Sequence, residues 1–219
     1  MFPNWTRVSA ALAARGVAVD PNALAAAEPH AKKRLDTAQT IASTNDRTRS
    51  FPYFNLILEQ AGIPQNDATD AALTELHAYH AQHNLWETVP ADVPGALARL
   101  QKLGLRLVVV SNANGTIRAC VDRVGLSSCL PHVFDSHVEG VEKPDRRFFE
   151  MALQRTGAKP ESTVHVGDIY HVDVTGARNA SIRPVLLDPF DLYPDADCAR
   201  VRTLDALANG LESGWSPGP

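Results

Sequence analysis

Gly167-Asp168-Ile169-Tyr170-His171-Val172-Asp173 sets two carboxylates five residues apart behind a glycine. That pairing suits a hard divalent cation. Mg²⁺ is commonly held by one or two carboxylates, with water and phosphate oxygens completing its shell. Upstream, Ser111-Asn112-Ala113-Asn114-Gly115 offers a hydroxyl and main-chain amides at a helix start, and Lys143-Pro144-Asp145 offers an ammonium. A phosphoryl group needs such surroundings: cations that offset its charge, and hydroxyl and amide donors that orient its oxygens. Each piece alone has an ordinary reading. Asp168 and Asp145 could cap helices, Ser111 could sit in a turn, and Lys143 could be a solvated charge. Their order and their places in loops point to phosphate chemistry.

The elements that must carry these residues can be read from pattern. Thr163 to Val166 is a β-branched run, Asp173 to Asn179 has helical spacing, and Ile182 to Leu187 is apolar enough for a buried strand. Strand, acidic loop, helix, strand is one βαβ unit and implies a parallel sheet, in which ligands gather at the carboxyl ends of strands. Residues 105–110, LRLVVV, suit a further buried parallel strand, and Val133 to Asp135 a short one. Helices are expected over 93–103, through Val121, over 147–156 and over 204–209. Before Leu105 no strand is expected. Helices should end near Gly16, run from Asp20-Pro21 toward Gln39, and cover 51–60 and 70–84. The expectation is an α/β protein: a three-layer open parallel sheet of Rossmann type (89–212) behind an N-terminal helical subdomain (1–88), with a flexible tail (213–219). The boundary should fall within 86–92.

Composition narrows the classes. The 219 residues carry a formal net charge of −4, which gives no electrostatic footprint for nucleic acid or for an acidic membrane surface. The longest apolar runs are far too short to span a bilayer, and the amino terminus lacks a secretory pattern. Cys120, Cys129 and Cys198 form no CxxC pair, which favours reduced thiols and a cytoplasmic location.

The motifs resemble those of the haloacid dehalogenase superfamily of hydrolases, most of which are Mg²⁺-dependent phosphatases. LVVVSNANG resembles the family's second motif, a strand ending in a phosphate-binding Ser or Thr, which implies that role for Ser111, with Asn112 beside it. EKPDRRFFEMAL resembles the third, whose lysine steadies nucleophile and phosphate, which implies that role for Lys143. VGDIYHVDVTGARNA resembles the fourth, GDxxxxD, whose acids hold Mg²⁺, which implies that role for Asp168 and Asp173. The similarity is strong over 89–190; residues 1–88 fit the family's helical cap by position and helicity. The family's first motif, DxDx[TV], supplies the nucleophilic aspartate and ends the first strand, and this sequence contains no such motif. On the resemblance, a strand between those leading to Ser111 and Asp168 is therefore expected to be missing. A homodimer is expected to cover the exposed edges.

Three functions follow from the resemblance. The first is a Mg²⁺-dependent phosphatase for small phosphate monoesters, either a shortened form of a longer enzyme or one using a metal-activated water, with Lys143, Ser111 and Asp173 catalytic. The second is an inactive relative that binds a phosphorylated ligand or a protein partner. The third, a dehalogenase proper, is disfavoured by the GDxxxxD acids. His77, His80 and His83 recur every three residues and read as a helix surface rather than a metal site. His171 reads as a structural hydrogen-bonding residue, and Arg47 and Arg49, flanking Thr48, as surface arginines able to meet an anion. Trp5, Phe51, Tyr53 and Phe54 are expected in the core of the helical subdomain.

Overall fold

A computed structural model describes residues 1–218. The chain divides into two compact units, Met1–Val89 and Pro90–Pro219. No helix among the described residues is long and apolar enough to cross a membrane.

The first unit is helical: α1 (Trp5–Ala13), α2 (Pro21–Leu35), α3 (Ala38–Ser43), α4 (Asp46–Gln60) and α5 (Asp67–His83). Its helix starts are settled locally. Asn4, Asp20, Thr37, Asn45 and Asn66 each accept a main-chain N–H from the first turn, and Asn45 and Asn66 complete capping boxes with Thr48 and Thr69. The caps explain why α4 begins five residues before the apolar pattern does. Val8, Leu12, Leu24, Phe54, Ile57, Leu73 and Leu76 form its core. Trp5, Tyr53 and Phe54 lie in that core as expected, but Phe51 does not: it is 48% exposed and stacks on His77.

The second unit alternates: α6 (Val93–Lys102), β1 (Val108–Ser111), α7 (Ile117–Arg123), β2 (His132–Asp135), α8 (Ser136–Glu139), α9 (Arg146–Thr156), β3 (Val164–Gly167), α10 (Thr175–Asn179), β4 (Arg183–Leu187), β5 (Ala199–Val201) and α11 (Leu204–Glu212). One wide π turn, Tyr170–Val174, joins β3 to α10. The strands pair in parallel, as the βαβ pattern predicts. They do so in two sheets, β1-β2 and β3-β4-β5. The sheets part between the strand that ends at Ser111 and the strand that leads to Asp168.

Leu100 of α6 and Leu207 and Ala208 of α11 cover one face, against Val166 and Val185. On the other face α9 reaches both sheets. Its Phe148 and Ala152 pack with Val108, Val110 and Phe134, while Phe149 and Leu153 pack with Ala177 and Ile182 of the βαβ unit. One sequence expectation needs correction, and one strand goes unpredicted. The apolar run 105–110 predicts one buried strand, but β1 starts only at Val108 and is half-buried throughout. Strand β5 has no sequence signal, because Ala-Arg-Val has neither the length nor the alternation that marks a strand. The last residues are tied back as far as Pro217: the Trp215 N–H donates to the Gly210 carbonyl and Pro217 is buried. Pro219 lies outside the described residues.

Candidate active site

Asp173 is the centre of the arrangement. Its side chain is 5% exposed, and its carboxylate accepts from the Lys143 ammonium (2.7 Å), His165 Nε2 (2.9 Å), and the main-chain N–H groups of Asp168 (3.1 Å) and Ile169 (3.0 Å). The two amide bonds go to Oδ2 and the two side-chain bonds to Oδ1, so all four acceptor directions are occupied. Burial opposes the charge on Asp173, but the Lys143 ammonium and the His165 hydrogen bond outweigh it. The carboxyl is held well below the usual carboxylate range.

Local backbone makes this fold-over possible. A Cβ at Gly167 would overlap the Asp173 carboxyl carbon, so only glycine lets the carboxylate lie against the end of β3. A Cβ at Gly176 would lie 2.7 Å from the Phe149 ring and 3.0 Å from Pro144 Cα, so this glycine admits the loop bearing Lys143 against α10.

Lys143 is fixed from its other end by Asn112. The Asn112 Nδ2 donates to the Lys143 carbonyl (2.9 Å), and the Lys143 N–H donates to Asn112 Oδ1 (2.8 Å). Ser111, at the carboxyl end of β1, makes only a long contact from its hydroxyl to the Asn112 carbonyl (3.4 Å). The loop after β1 is braced from β2. Asp135, buried, accepts from the N–H groups of Gly115 (3.0 and 2.9 Å) and His137 (3.0 Å). Ser136 Oγ accepts from the Ala113 N–H and donates to its carbonyl. The structure thus joins Asn112, Lys143 and Asp173 directly, with Ser111 adjacent in chain and Asp168 supplying an N–H to the same carboxylate.

Sequence reasoning missed His165 and Asp135. For His165 a signal existed. Side chains alternate along a strand, so His165 shares a face with Gly167, the residue over which Asp173 folds. It packs edge-on against Phe149 (4.9 Å between centroids). Burial pushes its imidazole below the ordinary histidine value, against the opposing pull of Asp173; Nε2 faces a carboxylate oxygen, which can only accept, so Nε2 is the donor in this bond.

The remaining candidates have local roles. His77 Nδ1 meets the Leu73 carbonyl (2.6 Å), its Nε2 meets the Ser50 hydroxyl (2.7 Å), and His80 accepts from the Leu85 N–H (3.0 Å). His83 lies beside the Tyr79 ring, and His171 lies edge-on to Tyr170. Arg49 donates to the Thr44 carbonyl and hydroxyl, holding the start of its own helix, while Arg47 is exposed. Among the described residues no three His, Cys, Asp or Glu side chains group to hold a metal ion.

A family model described as haloacid dehalogenase-like hydrolase matches residues 7–181. The glyceraldehyde 3-phosphate phosphatase of Pyrococcus furiosus is 33% identical over 141 residues, covering 62% of this chain and 57% of that protein. The ribulose-1,5-bisphosphate 5-phosphatase of Halopiger xanaduensis is 32% identical over 159 residues, 71% of this chain and 63% of that protein. The matches thus span somewhat more than half of these relatives. A HAD-hydrolase of Bacillus subtilis, solved with magnesium bound, aligns over 95% of this chain and 93% of its own, with a TM-score of 0.68 at 18% identity, which establishes the shared fold.

Proposed function

The chain belongs to the haloacid dehalogenase-like hydrolases, and from that premise we propose that it hydrolyses phosphate monoesters of small molecules where β1 and β3 end. The observation that carries this reading is the Lys143 ammonium, tethered by Asp173 at its tip and by Asn112 at its main chain. An ammonium has three donors, so two remain for phosphate oxygens after the bond to Asp173. The Ser111 hydroxyl is a further donor on the same edge. The two relatives named above are a glyceraldehyde 3-phosphate phosphatase and a ribulose-1,5-bisphosphate 5-phosphatase, which supports a small phosphorylated substrate.

Mg²⁺ is the cation we assign to this edge. The donor set fits if the acids divide their work. Asp173 is saturated by protein donors and would have to release one to take a metal, whereas one carboxylate with water and phosphate oxygens suffices for Mg²⁺. Asp168 then supplies the ligand oxygen, and Asp173 holds the lysine that faces the same phosphate. When bound, the cation would offset charge on the phosphoryl oxygens and make a bound water more acidic. Lys143 and Ser111 hold those oxygens against the same charge, and the packed loops keep them in place.

A second reading is retained because no DxDx[TV] motif occurs in the sequence. In it the same edge binds a phosphorylated ligand without turnover. Hydrolysis of p-nitrophenyl phosphate separates the two. Slow turnover that requires Mg²⁺ and falls in Lys143→Ala and Asp168→Asn supports the phosphatase. Turnover indifferent to EDTA or to Asp168→Asn rules it out, and phosphate binding with no turnover leaves the binder.

We also infer a homodimer that covers the open edges of β1 and β3. The parted sheets and the half-buried Val108 to Val110 support it. Sedimentation at micromolar concentration should give a dimer; a single monomeric species contradicts it. None of the three cysteines forms a disulfide, which supports a cytoplasmic setting.

A further inference from the structure

We propose that Asn112 is a positioning residue for phosphate: its side-chain amide locks the main chain of Lys143 and thereby decides where the ammonium points. The inference rests on the phosphate reading above and reassigns Asn112, whose residue type and place beside Ser111 suggest direct contact with the ligand. In the structure its amide is turned away from that task. Nδ2 donates to the Lys143 carbonyl and Oδ1 accepts the Lys143 N–H, at 2.9 and 2.8 Å, across a separation of 31 residues.

A lysine is a point charge on a flexible four-carbon stem, so an ammonium alone specifies little about geometry. Lys143 differs because both ends are held, the main chain by Asn112 and Nζ by Asp173. Donors fixed before the ligand arrives need no reorganisation when charge develops, which is what makes them effective. Asn112 is itself anchored, since the next residue, Ala113, exchanges two hydrogen bonds with Ser136, and Gly115 donates to Asp135. Support therefore passes from the end of β2 to the loop after β1, then to Lys143, and from there to Asp173.

Only asparagine meets both demands in place. Aspartate would set a second oxygen against the Lys143 carbonyl, serine is too short, and glutamine is one methylene too long.

The test is a double-mutant cycle on inorganic phosphate affinity, by calorimetry with Mg²⁺ present. Asn112→Ala should weaken phosphate about tenfold, the scale of one misplaced charge-assisted hydrogen bond. Lys143→Ala should lose at least as much, and the double variant should be no weaker than Lys143→Ala alone. Ser136→Ala, which loosens the loop that carries Asn112, should weaken phosphate less than Asn112→Ala and, like it, add no further loss to Lys143→Ala. Asn112→Asp, of nearly equal volume, guards against a simple packing defect and should lose as much as Asn112→Ala. Melting curves report whether each variant is folded. The inference is overturned if both Asn112 variants bind phosphate like the parent while Lys143→Ala does not, if the losses add, or if both Asn112 variants fail to fold. If instead the parent binds no phosphate, or Lys143→Ala leaves affinity intact, the phosphate site itself fails.

Discussion

The two units bury polar groups in different ways. In the helical unit the buried acid is met by side chains. Glu28, 2% exposed, takes the Tyr53 hydroxyl (2.7 Å) and the Lys32 ammonium (2.8 Å), and the arrangement makes no demand beyond joining α2 to α4. In the α/β unit three buried aspartates lie against the carboxyl ends of strands and hold loops by their main-chain amides. Asp135 takes Gly115 and His137, Asp173 takes Asp168 and Ile169, and Asp188 takes Leu192 and Tyr193. A buried carboxylate accepting two or three amides fixes a loop more firmly than a solvent-exposed cap can, because the competing water is gone. Asp173 alone of the three adds both an ammonium and an imidazole to its amides. The difference is one of use: Glu28 joins two helices, whereas the three aspartates fix the loops at the carboxyl ends of the strands.

Asp173→Ala should break this contrast most severely. It strands the Lys143 ammonium, 11% exposed, and leaves two amides and His165 without their acceptor. Removing one partner of such a buried pair costs about 3–5 kcal/mol, which urea unfolding would read. Gly167→Ala comes next, since the added methyl overlaps Asp173 Cγ, and overpacking of this kind costs about 1–3 kcal/mol. Phosphate affinity should fall with it, because the carboxylate that holds Lys143 must move. On the helical side, Tyr53→Phe leaves Glu28 with Lys32 and should cost only about 1 kcal/mol, with no change in phosphate affinity. A larger effect on phosphate there would erase the distinction between the units.

The smallest effect is a pH slope shared by both units. Burial lowers the pKa of His80 in one and His165 in the other. Desolvation is the main cause for each, and the nearby His77 adds to it for His80. A group whose folded pKa is depressed below its unfolded value of about 6.5 binds more protons in the unfolded chain. Stability is therefore fully present above that value and declines as pH falls below it. The melting temperature should drop between about pH 7.5 and about pH 5.5, a window that brackets the unfolded histidine value. The slope should flatten in both His80→Asn and His165→Asn. A slope that only His165→Asn flattens would confine the effect to the α/β unit.

Much of the fold can be read from residues. The βαβ unit shows in the β-branched run before Gly167, the acidic loop and the apolar run after Ile182, and parallel pairing follows. The start of α4 does not show, because capping by Asn45 and Thr48 carries no apolar signal. At the site, the types and order of Ser111, Lys143, Asp168 and Asp173 are visible, since they lie at the ends of regular elements or in the short turns beside them. The partners of Asp173 are not, apart from the strand alternation that places His165 on the face of Gly167.

The sequence by itself determined the alternating α/β pattern, the helical segment before it and the cluster of residue types suited to phosphate. Those depend on local propensity and on short-range spacing along the chain. Only the tertiary structure decided that Asn112 grips Lys143, that Asp173 is saturated, and that the sheet parts between β1 and β3. Such contacts join residues up to 31 positions apart, and they exist only once parallel strands have set their register. Hydrogen bonds depend on direction and on tenths of an ångström, quantities that spacing along a chain does not encode.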